Sequence, residues 1–349
     1  MKIRLAIVDR DEDYAKRLVN ALTVKYPDKI EVSSFSSLET ALYSLSDLNI
    51  DVLLAAPDTV VGSASIPNRI GFGYLISASG IRTYEGHPAV CKYQKTDLIY
   101  KQVLDLYVES ANSVVSMEPV EGESRALLFM SPGGGAGAST VAAACALHFA
   151  GGRKKTLYFN LERFGSANPF FSAEGQFCLS DLIFALKRRN SNLSMKLESC
   201  VRQSSEGVSF FAPVRLAPER FELSDGEVKT LLETLRESGG YHSIVVDMDF
   251  TLDSEALRYW TLFDSVIWVI DDSQIAHEKT LRALELLTYG KDKRLIDKVG
   301  ILYNKFNANG QTQVSFDNVR VIGTLPKLER GQSAQVAAAL AGNELFDHI

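Results

Sequence analysis

The sequence predicts two α/β domains in tandem, each a doubly wound sheet of mostly parallel strands. Three observations carry that expectation. Short apolar runs alternate with stretches of helical periodicity along nearly the whole chain, the pattern of strand–helix–strand units. Several runs, among them Val52-Leu53-Leu54-Ala55-Ala56 and Ile244-Val245-Val246, are apolar at every position, as strands covered on both faces must be. Between the two series lies a polar stretch without period, 110–124, carrying Pro119, Gly122 and glutamates. The boundary is placed there, with a first domain over 1–112, a linker over 113–124 and a second domain over 125–349.

Composition agrees with that plan. The 349 residues exceed one typical domain and suit two. The chain is 46% hydrophobic and 23% charged, an ordinary globular balance, and its net charge of −6 weighs against a surface that coats nucleic acid. Cys91, Cys145, Cys178 and Cys200 are far apart and form no C-x-x-C pair, so reduced thiols are expected, not a disulfide frame or a zinc site. The first apolar run is too short for a signal peptide, and no stretch is long enough to span a bilayer. A cytoplasmic protein is expected, reaching a membrane only through a partner.

In the first domain, strand 3–8 ends in Asp9-Arg10-Asp11-Glu12-Asp13, and 14–25 follows with Leu18, Val19 and Leu22 at helical spacing. Strand 30–35 precedes a helix over 37–45, for which Ser37 is the expected N-cap and Thr40 the alternative. Strands follow at 50–56, 73–77 and 89–93, then a closing helix over 96–109. This order resembles a response-regulator receiver domain. In that family an acidic cluster after the first strand holds Mg²⁺, an Asp ending the third strand takes a phosphoryl group, a hydroxyl ends the fourth strand and a Lys follows the fifth. Asp9 and Asp11 match part of the cluster, Ser77 the hydroxyl and Lys92 the lysine. The phosphoacceptor position falls on Ala55 or Ala56, with Asp58 beyond it. A methyl group cannot accept phosphate, so the resemblance implies a receiver fold kept for binding; phosphorylation at Asp58 is the alternative.

The second domain opens on strand 126–130, the loop Ser131-Pro132-Gly133-Gly134-Gly135-Ala136-Gly137-Ala138-Ser139-Thr140 and an Ala-rich helix over 141–150. A glycine loop between strand and helix holds phosphates, because backbone N–H groups turn inward and the helix start adds positive potential. The P-loop pattern G-x-x-x-x-G-K-[ST] needs a lysine where Ala138 stands. Ser139 is the expected Mg²⁺ ligand and Thr140 the hydroxyl beside the α-phosphate; both could equally cap the helix. Strand 155–161 leads into Glu162-Arg163-Phe164-Gly165. A helix over 179–188, a strand over 208–213 and a helix over 225–237, with Ser224 and Glu227 as a capping box, come next. Strands at 241–247, 264–270, 299–304 and 321–326, with helices over 277–288 and 333–341, complete a domain of about seven strands.

These landmarks look like the MinD/ParA family of deviant P-loop ATPases, whose loop reads K-G-G-x-G-K-[ST]-T. Lined up, Gly133 replaces the first lysine and Ala138 the second, with Gly134, Gly135, Ala136, Gly137, Ser139 and Thr140 completing the phosphate loop. Asn160-Leu161-Glu162 stands at the family's D-x-D, Asp247 at its switch Asp, Asn304-Lys305 at its adenine-contacting Asn, and Leu325-Pro326 at the loop bordering the base. The resemblance implies ATP or ADP with Mg²⁺, the metal held by Ser139 and Asp247. It also implies water positioned by Glu162, and a nucleotide-favoured homodimer. Glu162 could instead be a surface acid and Asp247 a structural cap. A receiver-like domain joined to such an ATPase resembles the TadZ/CpaE group of tight-adherence (Flp-type) pilus assembly proteins. That implies a role at a cell pole, with a pilus secretion machine or a polar marker as partner and no nucleic acid. Without its lysines the loop should hold nucleotide better than it turns it over, since one lost transition-state donor costs roughly 3–4 kcal/mol. The alternatives are an active ATPase with Arg163, Lys305 or a partner's arginine in the lysine's place, used at a cell pole or in DNA partition, and a regulator that binds no nucleotide.

Overall fold

The computed structural model describes residues 2–60, 66–67, 69–110, 124–188, 193–237, 240–253, 256–289, 293–307, 316, 319–328 and 331–349. The expected linker therefore lies outside the described residues except for Ser124. Two compact units result. The first holds residues 2–110 together with 193–199, a segment numbered within the expected second domain; the second holds 124–188 and 200–349.

The first unit contains β1 (Ile3–Val8), α1 (Glu12–Lys25), β2 (Ile30–Phe35), α2 (Leu38–Leu48), β3 (Val52–Ala55), β4 (Gly71–Ile76), β5 (Thr83–Tyr84), β6 (His87–Cys91) and α3 (Thr96–Ser110). Its sheet has the order β2-β1-β3-β4-β6-β5, and every pair is parallel except β5 with β6. Asp11 caps α1 by accepting from the Tyr14 amide at 2.9 Å, and Ser37 caps α2 by accepting from the Thr40 amide at 3.3 Å. Strand β4 begins two residues before the expected start. Gly71 permits this, because a Cβ there would lie 2.5 Å from the Leu106 carbonyl oxygen of α3. The connection from β4 to β6 carries β5 instead of a helix. Tyr74 of β4 is buried against it, with its ring 5.0 Å from that of Tyr84 and its hydroxyl donating to Glu85 at 2.9 Å.

The second unit contains β7 (Arg125–Met130), α4 (Ala138–Gly151), β8 (Thr156–Asn160) and α5 (Leu179–Lys187). Helix α6 (Leu193–Cys200) follows in the chain, but all of it except its last residue belongs to the first unit. Next come β9 (Val201–Gln203), β10 (Val208–Phe211), α7 (Ala217–Arg220), α8 (Asp225–Glu237), β11 (Ser243–Asp247), α9 (Ala256–Trp260), β12 (Ser265–Ile270), α10 (Gln274–Tyr289), β13 (Val299–Phe306), β14 (Arg320–Pro326) and α11 (Ser333–Ala341). The capping box at α8 forms, with Ser224 and Glu227 exchanging hydrogen bonds of 2.9 and 3.3 Å.

The second sheet has eight strands in the order β14-β13-β12-β7-β11-β8-β10-β9, parallel throughout except for β9, which periodicity alone did not indicate. Although β7 and β8 are consecutive parallel strands, β11 lies between them. That reversal of strand order opens a crevice at the carboxyl ends of the strands, where α/β sheets bind ligands. Helix α4 covers the sheet centre. Val141, Ala142, Ala143, Ala144, Cys145 and Ala146 are all buried, and small side chains let the helix lie close on β7 and β11. Burial pushes the Cys145 thiol well up, so it behaves as a small inert apolar group.

Candidate functional site: the glycine loop and the carboxyl ends of the sheet

The loop leaves β7 at Met130 and enters α4 at Ala138, with Gly137 as N-cap. Gly134, Gly135 and Gly137 have φ of 68°, 70° and 89°, the left-handed region that favours glycine. A Cβ on Gly134 or Gly135 would meet nothing within 4 Å, so those residues face open space. A Cβ on Gly137 would lie 2.8 Å from Nδ2 of Asn304, so this glycine is required by close approach as well as by backbone. Among the described residues, the N–H groups from Gly133 to Gly137 have no acceptor within the chain. They form a set of free donors at a helix start.

The acids converge beside the loop through strand register. Asp247 of β11 pairs laterally with Phe129 of β7 and with Asn160 of β8. Tyr158 lies two residues before Asn160 and so shares its face. The Tyr158 hydroxyl and the Asn160 amide each donate to Oδ2 of Asp247 at 2.8 Å, and the same amide donates to Glu162 at 3.1 Å. Asp247 is fully buried. Loss of water and, second, the Glu162 charge push its carboxyl up to about 7, against the hydrogen bonds from Tyr158, Ser139 and Asn160 that favour the carboxylate. Its Oδ1 is buried without a partner of good hydrogen-bond geometry. Gly165 lets the following turn close over this group, since a Cβ there would lie 2.2 Å from Oδ1 of Asn160. Asp249 accepts from the Arg163 amide at 2.7 Å and fixes the same turn.

The third contribution comes from β13. Its register with β14 shifts between Tyr303 and Phe306, and Lys305 sits at φ 58°. The irregularity re-aims two side chains at the loop. Asn304, buried, donates from Nδ2 to the Ala136 carbonyl at 2.8 Å; Lys305 donates to the Gly135 carbonyl at 2.7 Å. Asn304, expected at the base, thus ties down the loop with one of its amide hydrogens. Pro326 lies opposite Phe306 at the exposed end of β14, beside this pair. Lys279 of α10 donates to the Gly133 carbonyl at 3.2 Å. Neither Tyr158 nor Lys279 was singled out from sequence. Tyr158 could have been found from strand period, two residues before Asn160; Lys279 leaves no local signal.

In the first unit the phosphoacceptor position is closed. Ala55 and Ala56 are buried, and the exposed Asp58 pairs with Arg10 at 3.5 Å. Asp9 is buried in an ion pair with Lys92 at 2.5 Å and accepts from the Asp11 amide at 3.0 Å, while Asp11 serves as a helix cap. Tyr14 completes the arrangement by donating to the Lys92 carbonyl at 2.9 Å. Ser77 is exposed just after β4. Asp9 and Lys92 are thus paired with each other, and Asp11 is engaged in the helix cap.

Residues 1–108 match the family model described as the TadZ-like receiver domain. Over the second unit the chain is similar in fold to a ParA-family ATPase from Chlorobium tepidum TLS, with a TM-score of 0.50, 17% identity, 65% of this chain covered and 96% of that one. It also resembles the septum site-determining protein MinD complexed with Mg-ADP from Pyrococcus horikoshii OT3 (TM-score 0.47, 15% identity, 62% of this chain and 94% of that one). A third is the MinC:MinD cell division complex of Aquifex aeolicus (TM-score 0.47, 15% identity, 64% and 93%). No curated protein matches the chain. Among the described residues no helix is long and apolar enough to cross a membrane.

Proposed function

We propose that this chain, which has the two-domain architecture of the TadZ/CpaE-like proteins, is a nucleotide-binding assembly factor that holds MgATP and turns it over slowly or not at all. One observation carries the reading: the loop keeps free backbone donors while the two lysine positions are Gly133 and Ala138. A polyphosphate suits that donor set, and a divalent cation suits the orphaned Oδ1 of Asp247 with the Ser139 hydroxyl near the same carboxyl. Bound there, Mg²⁺ would neutralise phosphate charge and favour the ionised form of Asp247. Thr140 would support the α-phosphate and Pro326 would border the base, while Asn304 and Lys305, expected at the base, hold the loop through its carbonyls. Glu162, tethered by Asn160, is the candidate for orienting water.

The receiver-like domain has given up phosphoryl chemistry and serves as a recognition module for a pilus secretion machine or a polar marker. Nucleotide favours a homodimer of the second domain. Light scattering after size exclusion should show a shift toward dimer in MgATP and little phosphate release over the same period. Rapid turnover at tens per minute would overturn the slow-hydrolysis part, and an ATP-independent mass would overturn the dimer. The second reading, an active ATPase with a substituted lysine, draws on the ammonium of Lys305 at the loop. That ammonium meets a loop carbonyl, which is why the slow-hydrolysis reading is preferred.

A further inference from the structure

The loop has lost its own cations, yet two lysines from elsewhere in the fold reach it, both at carbonyl oxygens. Lys279 of α10 meets Gly133 O, Lys305 of β13 meets Gly135 O, and the Asn304 amide meets Ala136 O. Every described peptide bond is trans, so each carbonyl and the next residue's N–H point in opposite directions. A donor on Gly133 O therefore turns the Gly134 N–H away from Lys279. By the same geometry Lys305 turns the Ala136 N–H, and Asn304 the Gly137 N–H, away from themselves. Each of the three fasteners thus leaves the amide of its own peptide unit facing away from it.

Lys279 has a further consequence. It holds the residue that stands at the position of the missing first lysine. A Cβ at Gly133 would rest at ordinary contact, 3.5 Å, from Cβ of Ala276 one turn earlier on α10. The helix thus brings a positive charge to the place that the loop's own side chain has vacated. A cation on a carbonyl also polarises its peptide and strengthens the N–H on the far side as a donor. Lys305 holds its position in left-handed backbone at φ 58°, which a non-glycine residue adopts only with strain. That strain is local to the residue whose ammonium fastens the loop.

We propose that Lys279 is a positioning residue of the phosphate loop, acting with Lys305 from behind the peptide units 133–134 and 135–136 to orient and polarise the amides that bind a polyphosphate. The proposal rests on the nucleotide reading above and adds the groups that replace the loop's lost lysines. Its ligand class is a polyphosphate anion, so the test uses inorganic tripolyphosphate and pyrophosphate beside ATP and adenosine, titrated calorimetrically into the full chain.

The variants are K279M, K279R and K305M. K279M is expected to weaken tripolyphosphate and ATP about three- to tenfold, the range for one exposed charge-assisted contact, with a smaller loss for pyrophosphate. Adenosine binding should not change, and K279R should restore most of the loss. K305M should act in the same direction. A purely structural role for Lys279 would weaken adenosine alongside the anions. That result, or K279M binding tripolyphosphate as wild type does, overturns the proposal while leaving nucleotide binding intact. Wild-type protein that binds neither ATP nor tripolyphosphate overturns both readings.

Discussion

Asn160 shows how one neutral side chain changes a cluster of acids. It stands between Asp247 and Glu162 and donates to both. An Asp in its place would remove the shared donor and add a third acid at a half-buried position beside buried Asp247. Asn160→Asp is therefore expected to destabilise the metal-free protein by about 1–3 kcal/mol in urea denaturation, with Mg²⁺ recovering part of the loss. Equal midpoints for variant and wild type would contradict this. Asp247 gives a pH prediction with the sign opposite to most carboxylates. Its folded-state pKa is raised to about 7 from an ordinary value near 3.8, so the folded chain holds the proton more tightly than the unfolded one. Its effect is absent below about pH 4, and stability falls as pH rises through that window to 7. In EDTA, wild type should lose thermal stability between pH 5 and pH 8, and Asp247→Asn should lose less. Parallel curves would remove Asp247 from the account.

At the scale of elements, the expected strands and helices were legible because their signals are local. Alternation, apolar runs and the caps at Ser37 and Ser224 all lie within a few residues of what they specify. The additions are the elements without a strong local signal: β5, β9, the short α7 and α9, and α6. Helix α6 joins the first unit through tertiary contacts. Met195 is in that unit's core, Lys196 pairs with Asp105 at a largely buried site, and Lys29 pairs with Glu198 at 2.5 Å. Removing one member of a buried pair takes a counter-charge from the other, which stays largely buried. Lys196→Ala should cost about 3–5 kcal/mol, and replacing Lys196 by Met with Asp105 by Leu should recover most of it. A single-variant loss below 1 kcal/mol in chemical denaturation would show the pair to be dispensable. The irregularity in β13 belongs here too, since a regular strand would aim Asn304 and Lys305 differently.

At the scale of the molecule, each unit has an uncharged residue where the family it resembles carries a reactive or charged one. The receiver unit has alanine at its acceptor position and a closed Asp9–Lys92 pair; the second unit has a phosphate loop without lysine. On the proposed function, nucleotide-favoured dimerisation is the expected output, read as a mass shift with MgATP. Gly137→Ala should abolish that shift, because the new Cβ would strike Asn304 and strain a backbone at φ 89°. A dimer persisting in that variant would separate assembly from the loop.

The sequence by itself determined the succession of elements, the glycine loop, the missing lysines and the identity of the acids, since each is a matter of residue type and short spacing. The tertiary structure decided the burial that raises the Asp247 pKa, the linking role of Asn160, the lysines that reach the loop and the unit to which α6 belongs. The physical reason is range. Desolvation and hydrogen bonding depend on which strands lie side by side, and Tyr158 meets Asp247 across 89 positions of sequence while Lys279 meets Gly133 across 146. No local pattern carries that information; β11 beside β8 brings Tyr158 to Asp247, and β12 beside β7 brings the following helix α10 to the loop.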